Sequence, residues 1–305
     1  MDSTIAIHTD QLFKQFGRGK KQVKAVQDLS LDVKAGQVYG FLGPNGAGKT
    51  TTIRMLLDLI RPSSGAVSLY GRAVRRDTDV LNRVGAMVEG ATFYPFLTGR
   101  QNLEVMARSG GYYDKKVVAD LIEQVGMADR ADRRTRGYST GMKQRMGLAA
   151  ALLGNPDLII LDEPTNGLDP AGIQEIRLFI RELVDKQGKT VFLSSHMLNE
   201  VEQVCDRVAI INKGELVREG TVSELLAAQS RLLIDASPLD KAQSILGDQW
   251  KLHVNGSTHL VAEARREDVP AIVRRLVEQQ VEVYEVTPQR QTLEEYFLSV
   301  TQSEA

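Results

Sequence analysis

Apolar and polar residues alternate, with breaks, over residues 5–16 and 23–33. That two-residue period is the mark of half-buried strands. The basic stretch Gly17-Arg18-Gly19-Lys20-Lys21 lies between them and suits a hairpin loop. The pattern then changes. Residues 38–42, 158–161, 190–193 and 207–211 are short, nearly continuous apolar runs. Stretches with helical spacing stand between them, at 51–59, 173–186 and 198–205. Strands alternating with helices predict a parallel α/β sheet. Two more strands are expected at 66–70 and 84–88. Helical periodicity recurs at 102–108, 115–125 and 142–153, with poor strand patterns between, so residues 99–153 are expected to form a mostly helical insert.

The pattern shifts again near Gln229 and Ser230. Beyond it the order is strand (232–235), helix (240–246), strand (251–255), strand (259–263), helix (269–279), strand (281–286) and a last helix (293–299). The order β-α-β-β-α-β is that of a ferredoxin-like sandwich. Two domains are therefore expected, 1–229 and a small α+β domain at 230–305, as the 305-residue length suggests. Composition narrows the class. With 42% apolar and 25% charged residues, the chain is neither disordered nor a stapled miniprotein. Cys205 is the one cysteine, which rules out an intramolecular disulfide and points to a reducing compartment. Basic and acidic residues number 38 and 39, so the chain lacks the positive excess of a protein that grips nucleic-acid phosphates. The N-terminus starts acidic and does not read as a secretory signal. No apolar run approaches the ~18 residues needed to span a bilayer.

Residues 43–50, Gly43-Pro44-Asn45-Gly46-Ala47-Gly48-Lys49-Thr50, fit the pattern G-x-x-x-x-G-K-S/T. They stand between an apolar strand and a helix, the context of a phosphate-binding loop. Glycines at 43, 46 and 48 let successive backbone N–H groups face phosphate oxygens. The helix that follows, with Thr51 in its first turn, points its positive end at the same anion. In such a loop Lys49 reaches the β- and γ-phosphates and the Thr50 hydroxyl ligates Mg²⁺. ATP and Mg²⁺ are the expected ligands. Residues 158–163, Leu-Ile-Ile-Leu-Asp-Glu, form an aliphatic strand ending in two carboxylates. Side chains alternate along a strand, so Asp162 and Glu163 point apart. Asp162 is read as a holder of Mg²⁺ and Glu163 as the group that polarises an attacking water.

Tyr138-Ser139-Thr140-Gly141-Met142-Lys143-Gln144 resembles the Leu-Ser-Gly-Gly-Gln signature of ABC ATPases. Tyr replaces Leu, Thr replaces the first Gly, and Met-Lys stands before Gln. Ser139 and Gly141 remain at a predicted helix N-terminus, a second anion site. The motif lies 23 residues before Asp162, with a helix between. The resemblance runs in order over residues 1–222. It implies a P-loop ABC ATPase domain with a helical subdomain and an antiparallel β subdomain. It implies that Asn166-Gly167-Leu168-Asp169 is the D-loop, that His196 contacts the γ-phosphate, and that Phe16 stacks on adenine. In this family each ATP lies between the P-loop of one subunit and the signature of the other. A homodimer is therefore implied, driving integral-membrane permease subunits from a separate chain at the cytoplasmic face of the membrane.

Where the family usually has Gln, as a Mg²⁺ ligand and a link to the membrane partner, this chain has Glu89. Residues 93–103 resemble ATPases of bacitracin, lantibiotic and related drug exporters. Phe93, Tyr94, Phe96 and Leu97 could line a groove for a partner's cytoplasmic helix, or fill the core of the helical insert. Arg130, Arg133, Arg134 and Arg136 read as a solvated face. Cys205 reads as a small buried apolar residue. His253 and His259 lack partners at metal-ligand spacing. The competing function is a soluble ABC ATPase acting on DNA or ribosomes. Only 90 residues separate Lys49 from Ser139, too few for the long coiled coil of DNA-repair members. One P-loop is too few for the two-cassette translation factors.

Overall fold

The computed structural model describes residues 4–227, 231–256 and 259–289, with Leu293 and Phe297. It divides into two compact units, Met1–Gly220 and Thr221–Ala305.

The first unit opens with two long strands, β1 (Ile5–Phe16) and β2 (Val23–Lys34), paired antiparallel as a hairpin. Next come β3 (Val38–Leu42) and α1 (Lys49–Leu56), then β4 (Ser64–Leu69), β5 (Arg72–Ala73) and β6 (Val84–Met87). Strands β2-β1-β4-β5 form an antiparallel sheet. Helices α2 (Gly99–Ser109), α3 (Lys115–Gln124) and α4 (Thr140–Ala151) make the helical insert. The chain then continues through β7 (Leu158–Asp162), α5 (Pro170–Asp185), β8 (Thr190–Ser195), α6 (Leu198–Glu202), β9 (Arg207–Asn212) and β10 (Glu215–Thr221). A six-stranded sheet in the order β10-β9-β3-β8-β7-β6 carries the core, with β9, β3, β8, β7 and β6 mutually parallel.

Every residue of β3, β7 and β8 is buried. That is why these strands appear in the sequence as unbroken apolar runs rather than alternations. Tyr39 and Phe41 of β3 pack on Phe192 of β8, with ring centroids 5.7 and 5.4 Å apart. Burial of each such ring contributes roughly 2–3 kcal/mol. Ile7 and Leu12 of the hairpin join the same core, so the two sheets share one interior.

The helix boundaries depart from the sequence expectation in informative ways. Helix α1 starts at Lys49, two residues early, because Gly48 ends the loop with φ near +105° and caps the helix. It stops at Leu56, and Asp58 turns the chain with φ near +53°. Helix α6 closes at Glu202, short of Cys205. Strand β10 was not expected. It lies at a sheet edge, half-exposed, and its sequence alternates too weakly to announce it.

The second unit carries α7 (Val222–Ala227), β11 (Arg231–Ser237), α8 (Leu239–Leu246), β12 (Leu252–Asn255), β13 (His259–Glu263), α9 (Val269–Glu278) and β14 (Glu282–Gln289). Its antiparallel sheet has the order β12-β13-β11-β14. Ala242 and Leu246 of α8 and Ile272 and Leu276 of α9 pack on Leu232, Ile234, Leu260 and Trp250. The expected last helix lies outside the described residues, except that Leu293 and Phe297 are helical.

Candidate functional site

The site forms where β3, β8 and β7 end side by side. Open α/β sheets bind ligands beyond the carboxyl ends of their strands. After β3 the loop 43–48 wraps into α1, whose own first turn contains no acidic side chain to offset its positive end. Gly48 allows no substitute. A Cβ there would lie 2.3 Å from the Ala25 carbonyl oxygen of β2. The loop is held from a second side too. Gly214 N–H donates to Ala47 O at 3.0 Å, and Gln27 N–H donates to Gly214 O at 2.8 Å.

Lys49 is buried and turned back on the loop. Its Nζ donates to Gly43 O at 2.8 Å and to Pro44 O at 3.3 Å, and lies 3.2 Å from Glu163 Oε1. Thr50 Oγ1 donates to Asp162 Oδ2 at 2.8 Å. The other Asp162 oxygen accepts from Ser194 Oγ at 2.6 Å. Glu163 Oε2 lies 2.5 Å from His196 Nδ1. Lys49, Thr50, Asp162, Glu163 and His196, up to 147 positions apart in sequence, thus form one connected cluster. It faces a cleft of about 430 Å³ that is also lined by Asn45, Gly46, Gly48 and Thr51.

Ser194 is a member that sequence reading missed. It sits directly opposite Asp162 in the β7–β8 register and is fully buried. Besides donating to Asp162, its oxygen accepts the Glu163 N–H at 3.0 Å. Glu163 has φ near +52°, left-handed for a residue with a side chain. Such a conformation costs of order 1 kcal/mol and persists where surrounding contacts hold it. Ser194 supplies one such contact, and Asn166 N–H, donating to Glu163 O at 3.1 Å, supplies another. A serine at the end of an apolar run, followed by Ser195, gave no pattern that could have found it.

The other expected site residues stand apart from this cluster. Ser139 caps α4, accepting from Met142 N–H at 3.3 Å, and Gly141 packs beside Leu168 of the 166–169 loop. Asp169 caps α5 by accepting from Gly172 N–H at 3.0 Å. Phe16 ends β1 opposite Val23, a residue of the cleft wall. Its ring is 42% exposed beneath Lys14 Nζ, 4.9 Å away. Glu89 follows β6 with φ near +56° and pairs with Arg54 of α1, Nη2 to Oε1 2.5 Å; its side chain is 58% exposed.

Comparison with known proteins agrees with this geometry. The family described as ABC transporter matches residues 26–166. The bacitracin transport ATP-binding protein BcrA of Bacillus licheniformis is 38% identical over 309 residues, covering 98% of this chain and 97% of its own. The chain belongs to the ABC transporter ATP-binding proteins. A second relative of this cassette is the daunorubicin/doxorubicin resistance ATP-binding protein DrrA of Streptomyces peucetius, 36% identical over 98% of this chain and 93% of its own. Among solved structures, the dimeric structure of MJ0796, a bacterial ABC transporter cassette, superposes with a TM-score of 0.65 at 25% identity. It covers 71% of this chain and 98% of that one. ATP is the ligand of such cassettes, and its hydrolysis is their characteristic activity.

Outside the site, several residues have structural settings. Burial pushes the Cys205 thiol well above its ordinary value, which keeps it an unreactive apolar filler beneath Gly40. Arg130, Arg133, Arg134 and Arg136 are exposed. His253 and His259 face Glu263 and Asp235 at 3.7 and 3.8 Å, and no group of three metal-ligating side chains occurs among the described residues.

Proposed function

We propose that this cassette is the motor subunit of an exporter: two copies close around two ATP molecules and drive membrane subunits encoded separately. The observation that carries this reading is the convergence of Lys49, Thr50, Glu163 and His196 on one cleft, with buried Asp162 bonded to Thr50 behind it. Lys49 and the loop N–H groups bind the phosphates. Glu163 takes the proton of the attacking water. His196, hydrogen-bonded to Glu163, orients it and contacts the γ-phosphate. Phe16, at the cleft rim, stacks on adenine.

The residues present fit Mg²⁺. Thr50 and Asp162 bring a hydroxyl and a carboxylate oxygen within 2.8 Å of each other beside the phosphate loop, the hard oxygen donors that this ion takes. When bound, Mg²⁺ neutralises phosphate charge. Glu89 would join that set once its pair with Arg54 opens. It also links the site to a groove of about 540 Å³ lined by Leu57, Met87, Phe93 and Met106, where Val88 and Gly90 flank it in sequence. Tyr94 and Phe96 stand exposed on the adjoining segment. An amphipathic helix of a membrane subunit suits this apolar groove. Through such membrane subunits the cassette would join the membrane peripherally, at its cytoplasmic face; among the described residues no helix is long and apolar enough to cross a membrane.

Ser139 and Gly141 would serve the ATP held by the opposite copy, which makes the dimer a requirement for turnover. The relatives named for bacitracin transport and for daunorubicin/doxorubicin resistance support an exported cargo. The test is size-exclusion chromatography with ATP and Mg²⁺. Glu163→Gln should give a persistent dimer with no turnover, and Lys49→Ala should stay monomeric. Hydrolysis by Glu163→Gln at the wild-type rate would remove Glu163 as the base.

A further inference from the structure

Glu200 is a carboxylate buried in a place where neither composition nor family motif draws attention to it. Its residue is 8% exposed. Oε2 accepts from Thr165 Oγ1 at 2.6 Å, and Oε1 is buried with no hydrogen-bond partner among the described residues. No cation is paired with it among the described residues. A buried carboxylate in this state is costly, of order several kcal/mol before compensation. A hydrophobic residue of similar size would be more stable there, so stability does not account for it.

Its position suggests what does. Thr165 lies two residues after Glu163, on the segment that continues into the 166–169 loop. Glu200 lies four residues after His196, in the first turn of α6. The two segments leave the adjacent strands β7 and β8. They are tied by three successive rungs: Ser194 to Asp162 and to the Glu163 amide, His196 to Glu163, and Glu200 to Thr165. The middle rung joins the two groups that address the phosphate and the water, so it must rearrange when nucleotide enters. The outer rungs involve neither group's side chain.

We propose that Glu200, through Thr165, is a positioning residue for hydrolysis. It holds the segment bearing His196 at a fixed spacing from the segment bearing Glu163 while the contact between those two side chains opens and re-forms around ATP. The free Oε1 explains why a carboxylate is kept. A second acceptor lets the Thr165 hydroxyl change partner without being released as the segments shift. The inference rests on the reading of Glu163 and His196 given above. It deepens that reading by naming what keeps them in register.

The experiment uses the full chain and measures kcat, KM for ATP, affinity for a fluorescent ATP analogue, and the unfolding midpoint. Thr165→Val keeps the shape and removes the hydroxyl. It should lower kcat on the order of 10- to 100-fold, the effect of an ångström-scale misplacement, with analogue affinity within about twofold of wild type. Thr165→Ser restores the hydroxyl and should bring kcat back to within about threefold. Adding Glu200→Ala to Thr165→Val should cause little further loss, because the two act as a unit. Thr165→Val at the wild-type rate overturns the proposal. So does Thr165→Ser losing as much as Thr165→Val, or affinity falling in step with kcat. If Thr165→Val does not fold, Glu200→Gln carries the test. It keeps one oxygen for Thr165 but removes the second acceptor, so kcat should fall about threefold or more with analogue affinity within about twofold of wild type; a kcat within about threefold of wild type, or affinity falling in step with kcat, refutes the proposal. His196→Ala separates the two readings. If it hydrolyses ATP normally, the role of His196 fails and this proposal with it. If it is inactive while Thr165→Val is normal, this proposal alone fails.

Discussion

Ser194→Ala removes one oxygen atom and two hydrogen bonds, and the structure allows its cost to be estimated. The first bond, 2.6 Å to Asp162 Oδ1, is buried and has an ionised acceptor. Bonds of that kind contribute roughly 1.5–3 kcal/mol. The second satisfies the Glu163 N–H at 3.0 Å and is neutral, about 1 kcal/mol. Asp162 keeps Thr50 as a partner, so its charge is not left bare. The expected loss is therefore about 3 kcal/mol, which for a unit of this size lowers the unfolding midpoint by roughly 6–12 °C. The effect on catalysis is separate. With its amide released, Glu163 loses one of the two backbone contacts that hold its left-handed conformation, the Asn166 N–H to Glu163 O bond remaining. It should relax toward an ordinary conformation that turns the carboxylate away from His196. Turnover should fall on the order of 10- to 100-fold while ATP affinity, which depends on the loop and Lys49, changes little. The assays are thermal unfolding with and without ATP and steady-state phosphate release, with the exposed helix substitution Ser109→Ala as baseline. An unfolding midpoint within about 2 °C of wild type, or unchanged turnover, would refute the reasoning.

Three further outcomes are expected. Ser139→Arg should abolish hydrolysis yet leave the single copy able to bind ATP, as read by a fluorescent analogue; normal hydrolysis would end the composite-site reading. Glu89→Gln should keep transport in the reconstituted complex while Glu89→Ala loses transport more than hydrolysis, and unchanged transport by Glu89→Ala would sink the coupling role. Gly48→Ala should lose nucleotide binding and at least about 3 kcal/mol of stability, since its Cβ would meet the Ala25 carbonyl at 2.3 Å in a left-handed backbone. A soluble Gly48→Ala protein that binds ATP normally would contradict the fit described for the loop.

The parts of the molecule most legible in sequence are those whose physics is local. Strands β3, β7 and β8 are buried on both faces, so each is an apolar run. The phosphate loop is a contiguous string whose glycines and lysine act within eight residues. His196 is different. Alone after a strand it carries no pattern, and the family resemblance, not its neighbours, pointed to it. Ser194, Thr165 and Glu200 were illegible because their role lies in partners 31 to 35 positions away, reached only when β7 and β8 are laid side by side. The pair between Arg54 and Glu89 was equally hidden, since it depends on a left-handed backbone at Glu89 itself, which its residue type does not announce. Edge strand β10 escaped for a simpler reason, its half-exposed face.

The grip on the phosphate loop has a consequence for biosynthesis. The loop occupies residues 43–48, near the start of the chain, yet one of its supports is the turn at Gly214, which bonds both Ala47 and Gln27. Another, Ala25 of the hairpin, is made early. A ribosome therefore completes the nucleotide-recognition string more than 160 residues before it supplies the last piece of its mould. Until that turn emerges, the growing chain holds a correctly spelled loop with one wall missing. Capture of ATP thus marks the completion of the first unit's chain: intermediates released before Gly214 are expected to leave the cell's ATP untouched.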